Sequence, residues 1–131
     1  MNVREAACSC GQLRLVARGE PVRISICHCL ACQRRTGSVF GVQARFPADR
    51  VTLQGDSSEY VRTADSGNRI RFHFCPHCGA TVYLRLDIEP ALIGVPVGAF
   101  ADPNFPAPPA SIYEEHMHHW VTLPGPIEHL P

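Results

Sequence analysis

With 131 residues, 45% of them hydrophobic and 18% charged, the chain has the length and balance of about one globular domain, not of a disordered segment. Its 12 basic residues are all arginine, and 12 acids cancel them to a formal charge of zero. That is a poor composition for tracking a phosphate backbone or an anionic membrane surface, so neither nucleic acid nor membrane is expected as a partner.

The first seven residues, Met1 to Ala7, contain no apolar run of the kind that begins a secretion signal, which makes a cytoplasmic setting with reduced thiols the expectation. Leu13, Leu15 and Ala17 alternate imperfectly with Gln12, Arg14 and Val16 and suggest a first strand. Val22 to Cys27, Val39 to Phe46, Val51 to Gln54 and Glu59 to Arg62 are further short β candidates. Turn signals such as Gly19-Glu20-Pro21, Pro47-Ala48-Asp49 and Asp65-Ser66-Gly67-Asn68 separate them. Only Leu30 to Thr36 reads as a helix, which Gly37 ends after about two turns.

Ile70, Phe72 and Phe74 alternate cleanly with Arg69, Arg71 and His73, the pattern of a strand with one wet face. Val82, Leu84 and Leu86 repeat it against Tyr83, Arg85 and Asp87. Between Pro90 and Pro109 lie six prolines together with Gly94 and Gly98. Proline lacks a ladder donor, so this stretch predicts an edge strand and a surface loop, not a central strand. Its least polar part, Ala91 to Ala101, is too short to span a bilayer. The expected fold class is mainly β: a single small domain over residues 1–131, built of short antiparallel strands and stapled by metal.

Seven cysteines, an odd number, cannot all be used by disulfides. They fall into Cys8 and Cys10, then Cys27, Cys29 and Cys32, then Cys75 and Cys78. Thiols one or two residues apart can converge on one ion, and four thiolates at about 2.3 Å complete a tetrahedron around zinc. Gly79 after Cys75-Pro76-His77-Cys78 permits the tight turn of a zinc knuckle. Two pairs close one site and leave three thiolates for a second. Structural zinc sites are closed and catalytic ones keep an open position, so four plus three is the partition that gives the odd count a chemical meaning. Joining Cys8 and Cys10 to Cys75 and Cys78 could contribute about 10 kcal/mol when metal binds during folding.

Other readings stay open. Cys75 and Cys78 can form a redox pair, although the strand-then-helix context of that motif is missing. The three middle thiols can join a single site with one pair, or His28 can close their site, although its position between Cys27 and Cys29 turns its ring away from their metal. His116, His118 and His119 suggest a third metal site or, more simply, a partly solvated strand or turn. Trp120 is expected in the core or in a pocket wall, and Arg34 and Arg35 either as a solvated helix end or as a carboxylate clamp.

The residues from Cys8 to Gly11, from Cys27-His28-Cys29-Leu30-Ala31-Cys32 through Gln33-Arg34-Arg35-Thr36-Gly37-Ser38, and from Phe74 to Gly79 resemble the glutathione-dependent formaldehyde-activating enzyme family, also seen in the domain of centromere protein V. The likeness continues through the Gly98 to Pro103 loop and the Ile112 to Trp120 end. It implies a fold of the β-tent type and two zinc sites: a structural one at Cys8, Cys10, Cys75 and Cys78, and a reactive one at Cys27, Cys29 and Cys32. It also implies a carbon–sulfur lyase activity run in reverse, joining formaldehyde to glutathione as co-substrate to give S-hydroxymethylglutathione. In that setting His28 is expected to shuttle a proton and Arg34 or Arg35 to hold a glutathione carboxylate. Many relatives carry a Ser-Lys-Ala-Pro-Trp-like run where this chain reads His116-Met117-His118-His119-Trp120, a departure that bears on substrate identity. The competing expectations are a non-catalytic zinc-stapled module that binds a protein partner, and the same scaffold acting on a different thiol or electrophile.

Overall fold

The computed structural model describes residues 1–131. It contains β1 (Val3–Ala7), β2 (Arg14–Arg18), β3 (Arg23–Cys27), α1 (Leu30–Thr36), β4 (Gly41–Pro47), β5 (Val51–Gln54), β6 (Ser58–Thr63), β7 (Arg69–Phe74), β8 (Thr81–Leu86), β9 (Leu92–Pro96), β10 (Ala110–Ile112) and β11 (Glu128–His129). The mainly β reading is borne out, and the expected helix has the bounds Leu30–Thr36. No helix is long and apolar enough to cross a membrane.

The strands form two sheets, one ordered β1-β2-β5 and one ordered β11-β10-β3-β4-β9-β8-β7-β6. Most neighbours are antiparallel, but β10 runs parallel to β3, and β11 parallel to β10. One apolar cluster joins the two sheets: Ala6, Leu15 and Ala17 from the small sheet meet Ala44, Phe46, Ile93 and Val95 from the large one. Phe46 is fully buried and meets Phe100 edge-on at 6.0 Å. Burying a side chain of this size contributes about 1.5–3 kcal/mol.

The proline-rich stretch departs from expectation, because β9 is a central strand between β4 and β8. Its prolines bracket it: Pro90 precedes it and Pro96 ends it, which leaves Ile93, Gly94 and Val95 free to pair. Gly94 has a packing reason as well, since a Cβ there would stand 2.9 Å from Leu84 Cδ1.

The opposite face of the large sheet is not a closed core. Alternation along β3 and β4 places Ser25 and Cys27 beside Gln43 and Gly41, in the pairs Ser25–Gln43 and Cys27–Gly41. On β7 and β8 the pairs Ile70–Leu86 and Phe72–Leu84 lie on this face. The apolar side expected for β7 therefore lines a cavity. Its polar side carries Arg71, bonded to Asp87 and Glu59, and His73, stacked on Tyr83 at 4.4 Å.

Candidate metal centres and the adjoining cavity

Cys8 and Cys10 follow β1, and Cys75 and Cys78 lie in the turn between β7 and β8. Their four sulfurs all fall within 4.8 Å of one another. The Cys8–Cys10 and Cys10–Cys75 separations are 3.6 and 3.7 Å. Sulfurs placed at about 2.3 Å around a tetrahedral zinc stand about 3.8 Å apart, so the set fits that ion.

The surrounding backbone is arranged to support thiolates. Cys8 Sγ accepts from the Leu13 N–H at 3.3 Å, and Cys75 Sγ from the His77 N–H at 3.3 Å and the Gln12 amide at 3.1 Å. Against the upward pull of burial, the Cys78 N–H, Gln12 and His77 bring the Cys75 thiol down to about 6. Gly79, at φ +81°, donates to the Cys75 carbonyl and closes the knuckle.

The second set is Cys27, Cys29 and Cys32, with sulfurs again within 4.8 Å of one another and no fourth histidine or carboxylate atom in the group. Cys27 ends β3. Cys29 is the N-cap of α1, and its sulfur accepts from the Cys32 N–H at 3.3 Å. Gly37, in the left-handed conformation at φ 70°, ends the helix as expected. A hydrogen bond from Cys27 brings the Cys32 thiol down to about 5 against burial, with Cys29 and the Arg35 guanidinium acting the same way. The same bond and burial push Cys27 up. Three thiolates match a zinc site with one position left for a further ligand.

All three sulfur residues line a cavity of about 550 Å³, within the range of small-molecule sites. Its floor is the face described above, from Ser25 and Gln43 across to Phe72 and Leu84. The hairpin between β6 and β7 and the segment from Ile112 to His116 form its walls. Three guanidinium groups, Arg35, Arg45 and Arg62, face it. Burial and the neighbouring Arg23 hold Arg45 below the usual arginine range, with Glu89, Cys27 and Cys32 opposing.

Of the other residues singled out in the sequence, Arg35 lines the cavity, and its guanidinium lies over the Phe72 ring at 5.2 Å. Arg34 is exposed and is not part of the lining. His28 is fully buried outside the lining, with Nε2 3.0 Å from Ser111 Oγ and Nδ1 without a partner. Burial lowers its pKa. The three late histidines do not converge: His118 Nε2 is 3.0 Å from Gln33 Oε1, and only His116 reaches the cavity. Trp120 is 71% exposed, neither core nor pocket wall. Gln43 and Arg45 were missed, although a signal existed: Gly41, Gln43 and Arg45 occupy alternate positions of a strand whose other positions are Val42, Ala44 and Phe46.

Comparison with known proteins agrees with this geometry. The model of the glutathione-dependent formaldehyde-activating enzyme family matches residues 3–116. No curated protein sequence matches the chain. A crystal structure of a Rhodobacter sphaeroides protein, a structural genomics target, has a TM-score of 0.58 and 20% identity over 76% of this chain and 90% of its own. That likeness shows the shared fold. With the match running from β1 to the segment after β10, this chain belongs to the glutathione-dependent formaldehyde-activating enzyme family.

Proposed function

We propose that the protein is a zinc-dependent carbon–sulfur lyase that joins a small aldehyde, formaldehyde in the family's reaction, to a thiol such as glutathione. The observation that carries this reading is a group of three thiols without a fourth donor, opening onto a cavity of about 550 Å³. Two zinc ions are expected, one enclosed by Cys8, Cys10, Cys75 and Cys78 and one held by Cys27, Cys29 and Cys32. The seven cysteines are free thiols and so are all available as metal ligands.

When bound by three thiolates, zinc supplies a position where a further thiol is held as thiolate at neutral pH. The chain's own residues do the rest. Arg35 sits against Cys32 and favours its ionised form. Ile70, Phe72 and Leu84 give the cavity an apolar side that limits water around the reacting carbon. The thiol sulfur bonds to the carbonyl carbon, and the thiol proton ends on the former carbonyl oxygen. No electrons are gained or lost. His28, enclosed and bonded to Ser111, serves in this scheme to hold the loop between Cys27 and Cys29, and Arg35 is the better placed of the helix-end arginines to meet a carboxylate.

The test is exchange of carbon-13 formaldehyde with glutathione followed by NMR, together with zinc analysis. Acceleration by the parent protein and its loss in Cys29→Ser support the proposal. A parent protein that binds two zinc ions yet leaves the exchange at its uncatalysed rate overturns it in favour of a binding module.

A further inference from the structure

Two residues other than glycine adopt the left-handed backbone region, Ala101 at φ 49° and Tyr113 at φ 56°. Ala101 carries only a methyl group. Tyr113 carries a ring, for which that conformation is strained, and glycine or asparagine would hold the same turn with less strain. Packing does not offset the strain, because Tyr113 is 47% exposed.

The conformation is imposed from both sides. Before Tyr113, Ile112 pairs with Cys27 along the β10–β3 ladder, and its carbonyl accepts from the His28 N–H at 3.1 Å. After it, the Glu114 carboxylate is held by Ser111 and, at 2.6 Å, by His129. The His116 N–H closes the turn onto the Tyr113 carbonyl at 3.2 Å, and the His116 carbonyl accepts from Gln33 of α1 at 3.1 Å. Tyr113 is thereby fixed to the two segments that carry the open sulfur group, the end of β3 and α1. It lines the cavity beside Cys27, Cys29 and Cys32. A lining residue that is half exposed stands at the mouth, and Leu30, at the start of α1, is placed the same way at 53% exposed.

We propose that the Tyr113 ring is a gate at this mouth that limits the width of a group reaching the three-thiol centre, which makes Tyr113 a specificity-determining residue that selects small carbonyl compounds over aromatic ones. The cavity as a whole, at about 550 Å³, is too roomy to make that choice by volume. A ring can make it, because the clamped backbone fixes the point from which it projects and leaves only its two side-chain torsions free. The selection of small aldehydes rests on the lyase reading, whereas the gate itself is read from access alone.

The experiment labels the zinc-loaded protein with methyl methanethiosulfonate or benzyl methanethiosulfonate, which deliver a narrow or a wide group by the same chemistry. Initial rates at Cys29 and Cys32 are followed by peptide mass spectrometry, with the exposed Cys78 as internal reference. The parent, Tyr113→Phe, Tyr113→Gly, Tyr113→Asn and, as a control for loss of an exposed ring elsewhere, Tyr60→Thr are compared, with zinc content measured in each. In the parent, Tyr113→Phe and Tyr60→Thr, the benzyl-to-methyl rate ratio at Cys29 and Cys32 should lie about tenfold or more below the ratio at Cys78, the discrimination a shaped apolar contact provides. In Tyr113→Gly and Tyr113→Asn, which relieve the backbone strain and remove the ring, it should rise to the Cys78 value. The preference in kcat/KM for formaldehyde over benzaldehyde should fall in the same two variants and hold in Tyr113→Phe.

The proposal is overturned if the parent ratio at Cys29 and Cys32 equals that at Cys78, if it is unchanged in Tyr113→Gly and Tyr113→Asn, if Tyr113→Phe already loses it, or if it rises only with loss of zinc, which would make the ring a support of the metal site. A parent that excludes the wide reagent through Tyr113 but leaves formaldehyde exchange unaccelerated removes the lyase reading and keeps the gate. A parent that accelerates the exchange yet admits both reagents equally keeps the lyase reading and removes the gate.

Discussion

Gly41 faces Cys27 across the β3–β4 ladder, and the side chain it lacks is the room that the Arg35 guanidinium occupies: a Cβ there would stand 3.0 Å from Arg35 Nη2. The other near contact is Gln43 Nε2, also at 3.0 Å. Both are far ends of flexible side chains, so an added methyl displaces them and not the backbone. Gly41→Ala should therefore fold with a loss of about 1 kcal/mol or less, yet reduce kcat/KM for thiol addition several-fold as Arg35 leaves Cys32. Thermal unfolding beside steady-state kinetics checks this. A large fall in Tm with unchanged kcat/KM would show that the space serves packing instead.

The two thiol groups should respond differently to the same substitution. Cys75→Ser opens the site that ties the residues after β1 to the β7–β8 turn, and should remove much of a metal contribution of about 10 kcal/mol, leaving no cooperative unfolding transition. Cys32→Ser should keep cooperative unfolding, lose about one of two zinc ions and abolish turnover. Urea unfolding and zinc analysis of both variants decide the matter. Equal damage from both would contradict the division into an enclosed and an open site.

Among the glycines, Gly55 makes the closest approach to another stretch of backbone. At φ +94°, a Cβ there would stand 1.9 Å from the Gln12 carbonyl oxygen. The Gln12 side chain meets Asp56 on both its carbonyl and its N–H and also donates to Cys75 Sγ. Gly55→Ala should cost more than about 2 kcal/mol and speed zinc release from the four-thiol site. Chelator-driven zinc release and denaturant midpoints measure both. An unchanged midpoint would refute the prediction.

Gln33 pins the carboxy-terminal segment to the helix. Its amide donates to the carbonyls of His28 and His116 at 2.9 and 3.1 Å, and its oxygen faces His118 Nε2 at 3.0 Å. Gln33→Leu should raise amide exchange over residues 113–120 at least tenfold while β4 and β9 stay protected. Unaltered exchange there would mean that other contacts hold the wall.

Much of the site was legible because metal-ligand spacing is local. A Cys-x-Cys or Cys-x-x-Cys pair converges over a few residues, and the helix after Cys29 carries its own stop at Gly37. Strand roles were less legible. The central place of β9 depends on where its prolines fall relative to its partners, and β10 and β11 are three and two residues long, paired in parallel. The wet and apolar faces of β7 were read correctly, but not that the apolar one looks into a cavity.

Sequence by itself determined the local cysteine groups, the helix and the family resemblance, since each rests on residues close together or on motifs kept in order. Tertiary structure alone decided what stands beside the open sulfur group. Cys27, Arg45, Leu84, Phe72 and Arg62 come from β3, β4, β8, β7 and β6, and only the order of the large sheet brings them to one face. Strand order follows from burying the opposite face of that sheet against β1, β2 and β5, a global packing requirement that no local spacing encodes.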